Sequence, residues 1–61
     1  NMLTVSELIE ILESYPIKDA PVCIYDEHTA NVINITERNV DLSLTDRVDI
    51  NIDLTYYEEG E

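Results

Sequence analysis

Several residue types that stabilise folds or build reactive sites are scarce in this chain of 61 residues. It contains no Phe, no Trp and one Cys, so no disulfide can form within it. A lone Cys without a signal peptide is typical of a reducing compartment, and we therefore expect a cytoplasmic protein. No apolar run approaches the roughly 20 residues that a membrane-spanning helix needs.

Basic residues are also scarce. The chain has three basic residues, Lys18, Arg38 and Arg47, and fourteen Asp and Glu residues. Its formal net charge is therefore −11. Such a chain repels DNA, RNA and anionic membranes, so the expected partner is the basic surface of another protein. The alternative is that the charge serves solubility only, although a small domain needs a net charge of only about 2–8 for that purpose.

The length predicts a single small domain over residues 1–61. Asn1 precedes Met2, and we expect the native chain to start at Met2. Val, Ile and Leu supply 19 of the 61 residues, which is too aliphatic for a disordered chain. A fold this small buries only about 60% of its unfolded surface, so its core is thin. We therefore predict a homodimer.

The first predicted element is an amphipathic helix over residues 5–14. Thr4 and Glu7 form a T-x-x-E capping box, and Pro16 ends the helix. At about 100° per residue, one side carries an apolar stripe about 120° wide, typical of a core-facing surface. The stripe consists of Val5, Leu8, Ile9, Leu12 and Tyr15, and the other side carries Glu7, Glu10 and Glu13.

Four strands are predicted after the helix, at about residues 22–26, 31–36, 40–44 and 48–57, followed by a frayed tail over 58–61. The connections between them are short, which favours neighbouring antiparallel strands. The predicted fold class is therefore α+β. One N-terminal amphipathic helix precedes a three- to four-stranded, mainly antiparallel sheet, in the order α-β-β-β-β.

The register of the last predicted hairpin follows from placing apolar residues opposite one another. A two-residue loop would set Leu44 across from Asp49, and a later loop would set Asp41 across from Asp53, so we reject both. A three-residue loop over 45–47 avoids these pairs. It gives the pairs Leu44–Val48, Leu42–Ile50, Val40–Ile52, Ser43–Asp49 and Asp41–Asn51.

In this register the acidic residues of the last two strands share one open face, away from the helix. Carboxylates on a rigid sheet can occupy an Arg- and Lys-lined groove that normally binds phosphates. We therefore predict a partner-binding surface on this face, with mimicry of nucleic acid as one mechanism. Its predicted residues are Asp41, Asp49, Asn51, Asp53 and Tyr57.

No catalytic site and no cofactor site are predicted. His28 is the only histidine and lies in a polar turn. Cys23 lies within a strand without a neighbouring basic group to activate it, so we expect a buried structural thiol. These two residues are fewer than the three or four Cys and His ligands that zinc requires. The protein is therefore predicted not to be an enzyme.

A calcium site is considered and rejected. The sequence Asp49-x-Asn51-x-Asp53 resembles the start of an EF-hand loop. The match then fails, because Leu54 stands where the loop needs Gly and Gly60 where it needs Glu. The alternating apolar residues also favour a strand over a loop. No dedicated metal site is therefore predicted.

The segment TVSELIEILESYPIKDAPV resembles the opening of a broad group of short phage and bacterial proteins. Their pattern is T-V-x-E-L-I-x-x-L, then Pro, then D-A-x-V leading into a strand. The segment covers 19 of the 61 residues, and its spacing from Pro to Asp is one residue longer than the pattern. The resemblance implies a small, phage-encoded α+β protein in the host cytoplasm and transfers no catalytic residue. The match is carried by Thr4, Val5, Glu7, Leu8, Ile9, Leu12, Pro16, Asp19, Ala20 and Val22.

Phages encode many small acidic inhibitors of host enzymes and defence systems. The leading hypothesis is therefore a small acidic, non-catalytic binding protein that inhibits a host enzyme or an antiviral defence factor. The alternative is a protein–protein interaction module or a self-assembling structural module whose charge serves solubility only. Such a module would bind through an edge strand or an exposed apolar patch.

Overall fold

The computed structural model describes residues 1–53 and has a mixed α+β architecture, as predicted. The predicted element order is also confirmed. The predicted tail and the last part of the predicted fourth strand, residues 54–57, lie outside the described residues. The elements are α1 (Val5–Glu13), β1 (Cys23–Asp26), β2 (Asn31–Asn34), a 3-10 turn (Glu37–Asn39), β3 (Val40–Asp41) and β4 (Asp49–Ile50).

Helix α1 begins at the predicted capping box. The Glu7 N–H donates to Thr4 Oγ1 at 3.2 Å, and the Thr4 N–H donates to Glu7 Oε1 at 2.9 Å. These bonds satisfy two amide groups that would otherwise lack partners at the helix start. At the other end, the Lys18 ammonium donates to the Glu13 carbonyl at 2.9 Å and to the Tyr15 carbonyl. A cation at this end is favourable because the helix dipole is negative there.

The prediction that the apolar stripe of α1 faces a core is wrong for the described part of the chain. Exposure of the stripe residues ranges from 36% at Leu8 to 56% at Val5. Within residues 1–53, extensive contacts between elements occur only inside each pair of strands. The physical reason is the size of these pairs, because two strands of two to four residues offer too little apolar surface to cover a helix.

Strands β1 and β2 form an antiparallel hairpin close to its predicted position. Ile24 lies opposite Ile33, which is 1% exposed and is the one fully buried side chain within residues 1–53. Cys23 lies opposite Asn34 and is exposed, so the predicted buried thiol is wrong. The Cys23 Sγ donates to Asn34 Oδ1 at 3.1 Å, because both side chains stand on the face opposite to Ile33.

The β1–β2 turn is organised by Asp26. Its Oδ1 accepts from the His28 N–H at 3.0 Å, its Oδ2 accepts from Thr29 Oγ1 at 2.9 Å, and its carbonyl accepts from the Ala30 N–H at 2.7 Å. Ala30 closes the turn with a positive φ of 64°. The polar turn predicted here is thus confirmed, and the aspartate fixes it by hydrogen-bonding its own backbone.

Replacing Ala30 with Gly is expected to stabilise the protein by about 1 kcal/mol. A side chain with a Cβ atom is disfavoured in the left-handed region by about 1–2 kcal/mol, and glycine removes that cost. Part of the gain is lost because glycine has more freedom in the unfolded chain. Urea unfolding followed by circular dichroism measures the change, with Ala20→Gly as the control. A loss of stability in Ala30→Gly would contradict the assigned turn.

The contribution of Asp26 to stability is expected to disappear in acid. Hydrogen bonds from the Thr29 hydroxyl and from the His28 amide hold the pKa of Asp26 below its ordinary value of 3.8. Because the folded-state pKa is the lower one, the contribution is present above pH 3.8 and is lost as the pH falls through the folded-state pKa. Unfolding midpoints of wild type and Asp26→Asn should therefore differ near neutral pH and converge in acid. An undiminished difference in acid would refute this role.

The prediction of one continuous sheet is not confirmed, because residues 1–53 form two separate two-stranded sheets, β1–β2 and β3–β4. The 3-10 turn between β2 and β3 explains the separation. Thr36 Oγ1 accepts from the Arg38 N–H at 3.3 Å, and Asn39 Oδ1 accepts from the Thr36 N–H at 2.8 Å. This second capping box turns the chain out of β2, so that β3 pairs with β4 instead.

The predicted register of the last hairpin is also wrong, by two residues. Val40 lies opposite Ile50 and Asp41 lies opposite Asp49. Strand β3 ends at Asp41 because the Ser43 N–H donates to Asp41 Oδ1 at 2.9 Å, which diverts that amide from the ladder. Three predicted strand residues therefore lie outside the strand and are exposed: Leu42, Ser43 and Leu44. A shift by an even number keeps the side-chain faces unchanged.

Candidate functional site

The candidate site is the face of the β3–β4 hairpin that carries the acidic side chains. Asp41 and Asp49 are direct partners, and Asn39 continues the ladder to Asn51, whose N–H donates to the Asn39 carbonyl at 2.7 Å. Since side chains alternate along strands, these residues share a face. We call it the acidic hairpin face, and it consists of Asn39, Asp41, Asp49 and Asn51.

The opposed carboxylates form a like-charge pair. Directly opposed residues have Cβ atoms about 4.5–5.5 Å apart, and like charges at that position are destabilising. Asp41 and Asp49 are each only partly buried, so water screens part of the repulsion. Each carboxylate also has its own nearby partner, and these partners differ in kind.

Asp41 is held by Ser43. Asp41 Oδ1 accepts from the Ser43 hydroxyl at 2.6 Å and from the Ser43 N–H at 2.9 Å. These two hydrogen bonds, the hydroxyl first, hold the pKa of Asp41 below its usual value. Both bonds go to Oδ1, and within residues 1–53 no group donates to Oδ2. The Asp41 side chain is therefore ionised, fixed in direction and able to accept one further hydrogen bond.

Asp49 is paired with Arg47. The Arg47 Nε donates to Asp49 Oδ1 at 2.8 Å, and Nη2 donates to Oδ2 at 3.4 Å. Hydrogen bonding and charge attraction from Asp49 raise the pKa of Arg47. The pair is solvent-exposed, since 62% of the Arg47 side chain is accessible, so it adds little stability. It does neutralise one of the two carboxylates.

Asn39 links the two strands of the site through its side chain. Its Nδ2 donates to the Asn51 carbonyl at 2.7 Å, while its Oδ1 holds the 3-10 turn. The sequence-based prediction did not include Asn39, Ser43 or Arg47. A signal for Asn39 was present, because the stretch from Thr36 to Asn39 repeats the capping-box spacing of Thr4 and Glu7.

The structure brings together three of the five predicted partner-binding residues. Asp41, Asp49 and Asn51 lie on the acidic hairpin face. Asp53 follows two residues after Asn51, beyond the end of β4. Tyr57 lies outside the described residues.

The Cys and His side chains of the described residues lie apart from one another and from the acidic hairpin face. No group of three or more His, Cys, Asp and Glu side chains within residues 1–53 is arranged to hold a metal ion. In the same part of the chain, no helix has the length and apolar character needed to cross a membrane. His28 stands in the β1–β2 turn and Cys23 at the start of β1, so the structure places these two residues at different ends of the hairpin.

Comparison of the chain with models of known protein families, with curated proteins and with solved structures found no match. The resemblance of residues 4–22 to short phage and bacterial proteins therefore stays a prediction. Function has to be argued from the side chains of the site, because an α+β architecture is compatible with many activities.

Proposed function

We propose that this chain is a small, acidic, non-catalytic binding protein that inhibits a host protein by covering a basic surface on it. The observation that carries the proposal is the direct opposition of Asp41 and Asp49 on an exposed hairpin face. Arg47 already pairs with Asp49, so a basic side chain from a partner would neutralise the remaining carboxylate, Asp41. The chain's net charge of −11 would in addition attract a basic partner over long distances.

The side chains around the acidic hairpin face favour a specific contact over diffuse attraction. Ser43 fixes the direction of the Asp41 carboxylate, so little conformational freedom is lost when Oδ2 accepts a hydrogen bond. Asp49 already accepts two bonds from Arg47. The preferred contact is thus a Lys or Arg side chain at Asp41, the carboxylate that Arg47 does not neutralise.

Mimicry of nucleic acid is the narrower form of the proposal. A phosphate-binding groove expects a row of negative charges. Because Arg47 neutralises Asp49, the acidic hairpin face presents a single uncompensated carboxylate, Asp41, to such a groove. This arrangement favours the binding of one or two basic side chains over mimicry of a phosphate row. The target class, a host enzyme or antiviral defence factor, rests on the phage resemblance.

A bait experiment in bacterial lysate tests the proposal. The acidic-face variant is Asp41→Asn/Asp49→Asn/Asp53→Asn. The matched control is Glu10→Gln/Glu13→Gln/Asp19→Asn, which removes the same charge from α1 and its connector. We expect a protein retained by wild type and by the control, and at least tenfold weaker retention by the acidic-face variant. Circular dichroism checks that all three proteins fold.

The salt dependence of retention tests the electrostatic mechanism in the same experiment. Retention should fall steeply as salt rises to about 1 M, where the Debye length is about 3 Å. Equal retention by the two triple variants would overturn the role of the acidic hairpin face. Binding unchanged in high salt would overturn the electrostatic mechanism.

A second candidate function is favoured by a different observation. The apolar stripe of α1 is exposed along its whole length. Such a surface is typical of a protein–protein interaction module or a self-assembling module. In that case the carboxylates would serve solubility, and both triple variants would retain the same partners.

A further inference from the structure

The apolar stripe of α1 continues into a groove formed with the connector that follows the helix. The groove has a volume of about 680 Å³ and is lined mainly by apolar side chains. Ile11 and Leu12 of α1 line the groove together with Tyr15, which follows two residues after the end of the helix, so stripe and groove form one continuous area. We call this area the apolar helix surface. It consists of Val5, Leu8, Ile9, Ile11, Leu12, Tyr15, Ile17 and Val22.

The size of the apolar helix surface matches what a stable dimer needs. Each of its eight side chains is exposed by 36–56%. Counted over the whole residue, main chain included, a large apolar residue offers roughly 150–200 Å² when fully exposed, so the eight residues together expose roughly 600–800 Å². A standard protein–protein interface buries about 800 Å² per partner, whereas the largest apolar patch of a monomer is typically about 300–600 Å².

The distribution of charge on α1 is compatible with a second copy of the chain as the occupant. The stripe contains no carboxylate, and Glu7, Glu10 and Glu13 lie on the other side of α1. Two stripes can therefore meet while the glutamates of both copies point away from the interface. A basic partner would gain no charge attraction at the stripe and would be drawn to the acidic hairpin face instead.

The stripe is also self-complementary when two helices run antiparallel. Around a two-fold axis at the middle of the stripe, Val5 of one copy would face Tyr15 of the other, and Leu8 would face Leu12. Each contact would then occur twice, as in the isologous interface of a two-fold dimer. Helix axes pack about 8–10 Å apart, a distance at which all these side chains can reach the partner.

Little apolar surface is buried within one copy of the described chain, which is a reason to expect such an interface. Ile33 is the one fully buried side chain of residues 1–53. Since no residue of α1 is fully buried within residues 1–53, the helix must gain burial elsewhere, and a second copy is present wherever the chain is made. We infer that the protein is a homodimer in which the apolar helix surfaces of two copies pack against each other. This inference concerns a surface separate from the acidic hairpin face and does not depend on the proposed function.

Sedimentation velocity over a range of concentrations tests the inference. The variant Leu12→Glu places a charge in the centre of the proposed interface and keeps a good helix former at that position. The matched control is Leu42→Glu, which makes the same change at a residue that is 72% exposed and lies outside α1. We expect wild type and Leu42→Glu to be dimers and Leu12→Glu to dissociate with at least a hundredfold higher Kd.

Disulfide cross-linking tests the same dimer interface and does not depend on whether Leu12→Glu folds. In a Cys23→Ser background, Ile9→Cys lies close to the two-fold axis and should form a disulfide-linked dimer under mild oxidation. Glu10→Cys, on the opposite side of α1, should stay monomeric in a denaturing gel. A monomeric wild type at all concentrations, equal cross-linking of the two cysteine variants, or equal dissociation of the two glutamate variants would each overturn the inference.

Discussion

Truncating Ile33 to alanine is expected to lower the free energy of unfolding by about 2–5 kcal/mol, the usual range for removing a buried isoleucine side chain. Ile33 is 1% exposed and pairs with Ile24 across the β1–β2 hairpin. Small domains are stable by only about 5–15 kcal/mol in total, and this chain has little other burial to compensate. The substitution should therefore leave a large fraction of the protein unfolded near room temperature.

Urea unfolding followed by circular dichroism measures this loss, at one fixed protein concentration because dimerisation would add to the apparent stability. The matched control is Val32→Ala, which truncates the neighbouring residue of β2 on the other face of the hairpin. Val32 is 59% exposed, so its loss should cost well under about 1 kcal/mol. Similar losses in the two variants would show that Ile33 is not the centre of the core.

The elements that the sequence predicted correctly depend on neighbouring residues. Thr4 and Glu7 are three residues apart, and the capping box that they form starts α1 without help from the rest of the chain. Asp26 likewise fixes the β1–β2 turn through residues two and three positions away. These hydrogen bonds join residues that are two or three positions apart in the sequence. The residue types and their spacing are therefore sufficient to predict them.

The sheet arrangement could not be predicted in the same way, because a local interaction competed with the expected pairing. Alternation of apolar residues continues from Val40 through Leu44 and favours a longer strand. The side chain of Asp41 instead takes the Ser43 N–H, which ends β3 after two residues. The alternation of apolar residues does not reveal whether the Ser43 N–H joins a strand ladder or donates to the Asp41 side chain.

For the apolar stripe of α1, the sequence failed to predict the packing partner for a different reason. Helical periodicity identifies which residues share a face, but it does not identify what covers that face. The expectation of a sheet packed on the helix required strands long enough to form a broad apolar surface, and β3 and β4 have two residues each. The same pattern is equally suited to packing against a second helix, which is the arrangement inferred above.

Cys23 illustrates how a register determines exposure. Its position in β1 was predicted correctly, but the apolar composition of the strand did not reveal which face would be covered. Pairing places Cys23 opposite Asn34, while Ile24 lies opposite Ile33 on the buried side. Residues next to each other in a strand thus differ in exposure because they point to opposite faces.

Replacing Asn39 with alanine is expected to lower the free energy of unfolding by about 1–3 kcal/mol, because its two short side-chain hydrogen bonds, of about 0.5–1.5 kcal/mol each, are lost together with a longer one from the Thr36 hydroxyl. Asn39 Oδ1 accepts from the Thr36 N–H at 2.8 Å, and Asn39 Nδ2 donates to the Asn51 carbonyl at 2.7 Å. One side chain therefore holds both the 3-10 turn and the start of the β3–β4 pairing. Its removal should loosen the acidic hairpin face without changing any charge.

The matched control is Asn51→Ala, which removes the same amide group from the partner strand but keeps the backbone carbonyl that Asn39 binds. Within residues 1–53 the Asn51 side chain makes no comparable bridge, so its loss should cost less than about 0.5 kcal/mol. Amide hydrogen exchange gives the local readout. Exchange of the Thr36 and Asn51 N–H groups should accelerate in Asn39→Ala, whereas those of β1 and β2 should stay protected. Unchanged exchange at both amides would mean that backbone pairing alone holds β3 and β4 together. The acidic hairpin face would then keep its geometry without Asn39, and partner binding by Asn39→Ala would equal that of wild type.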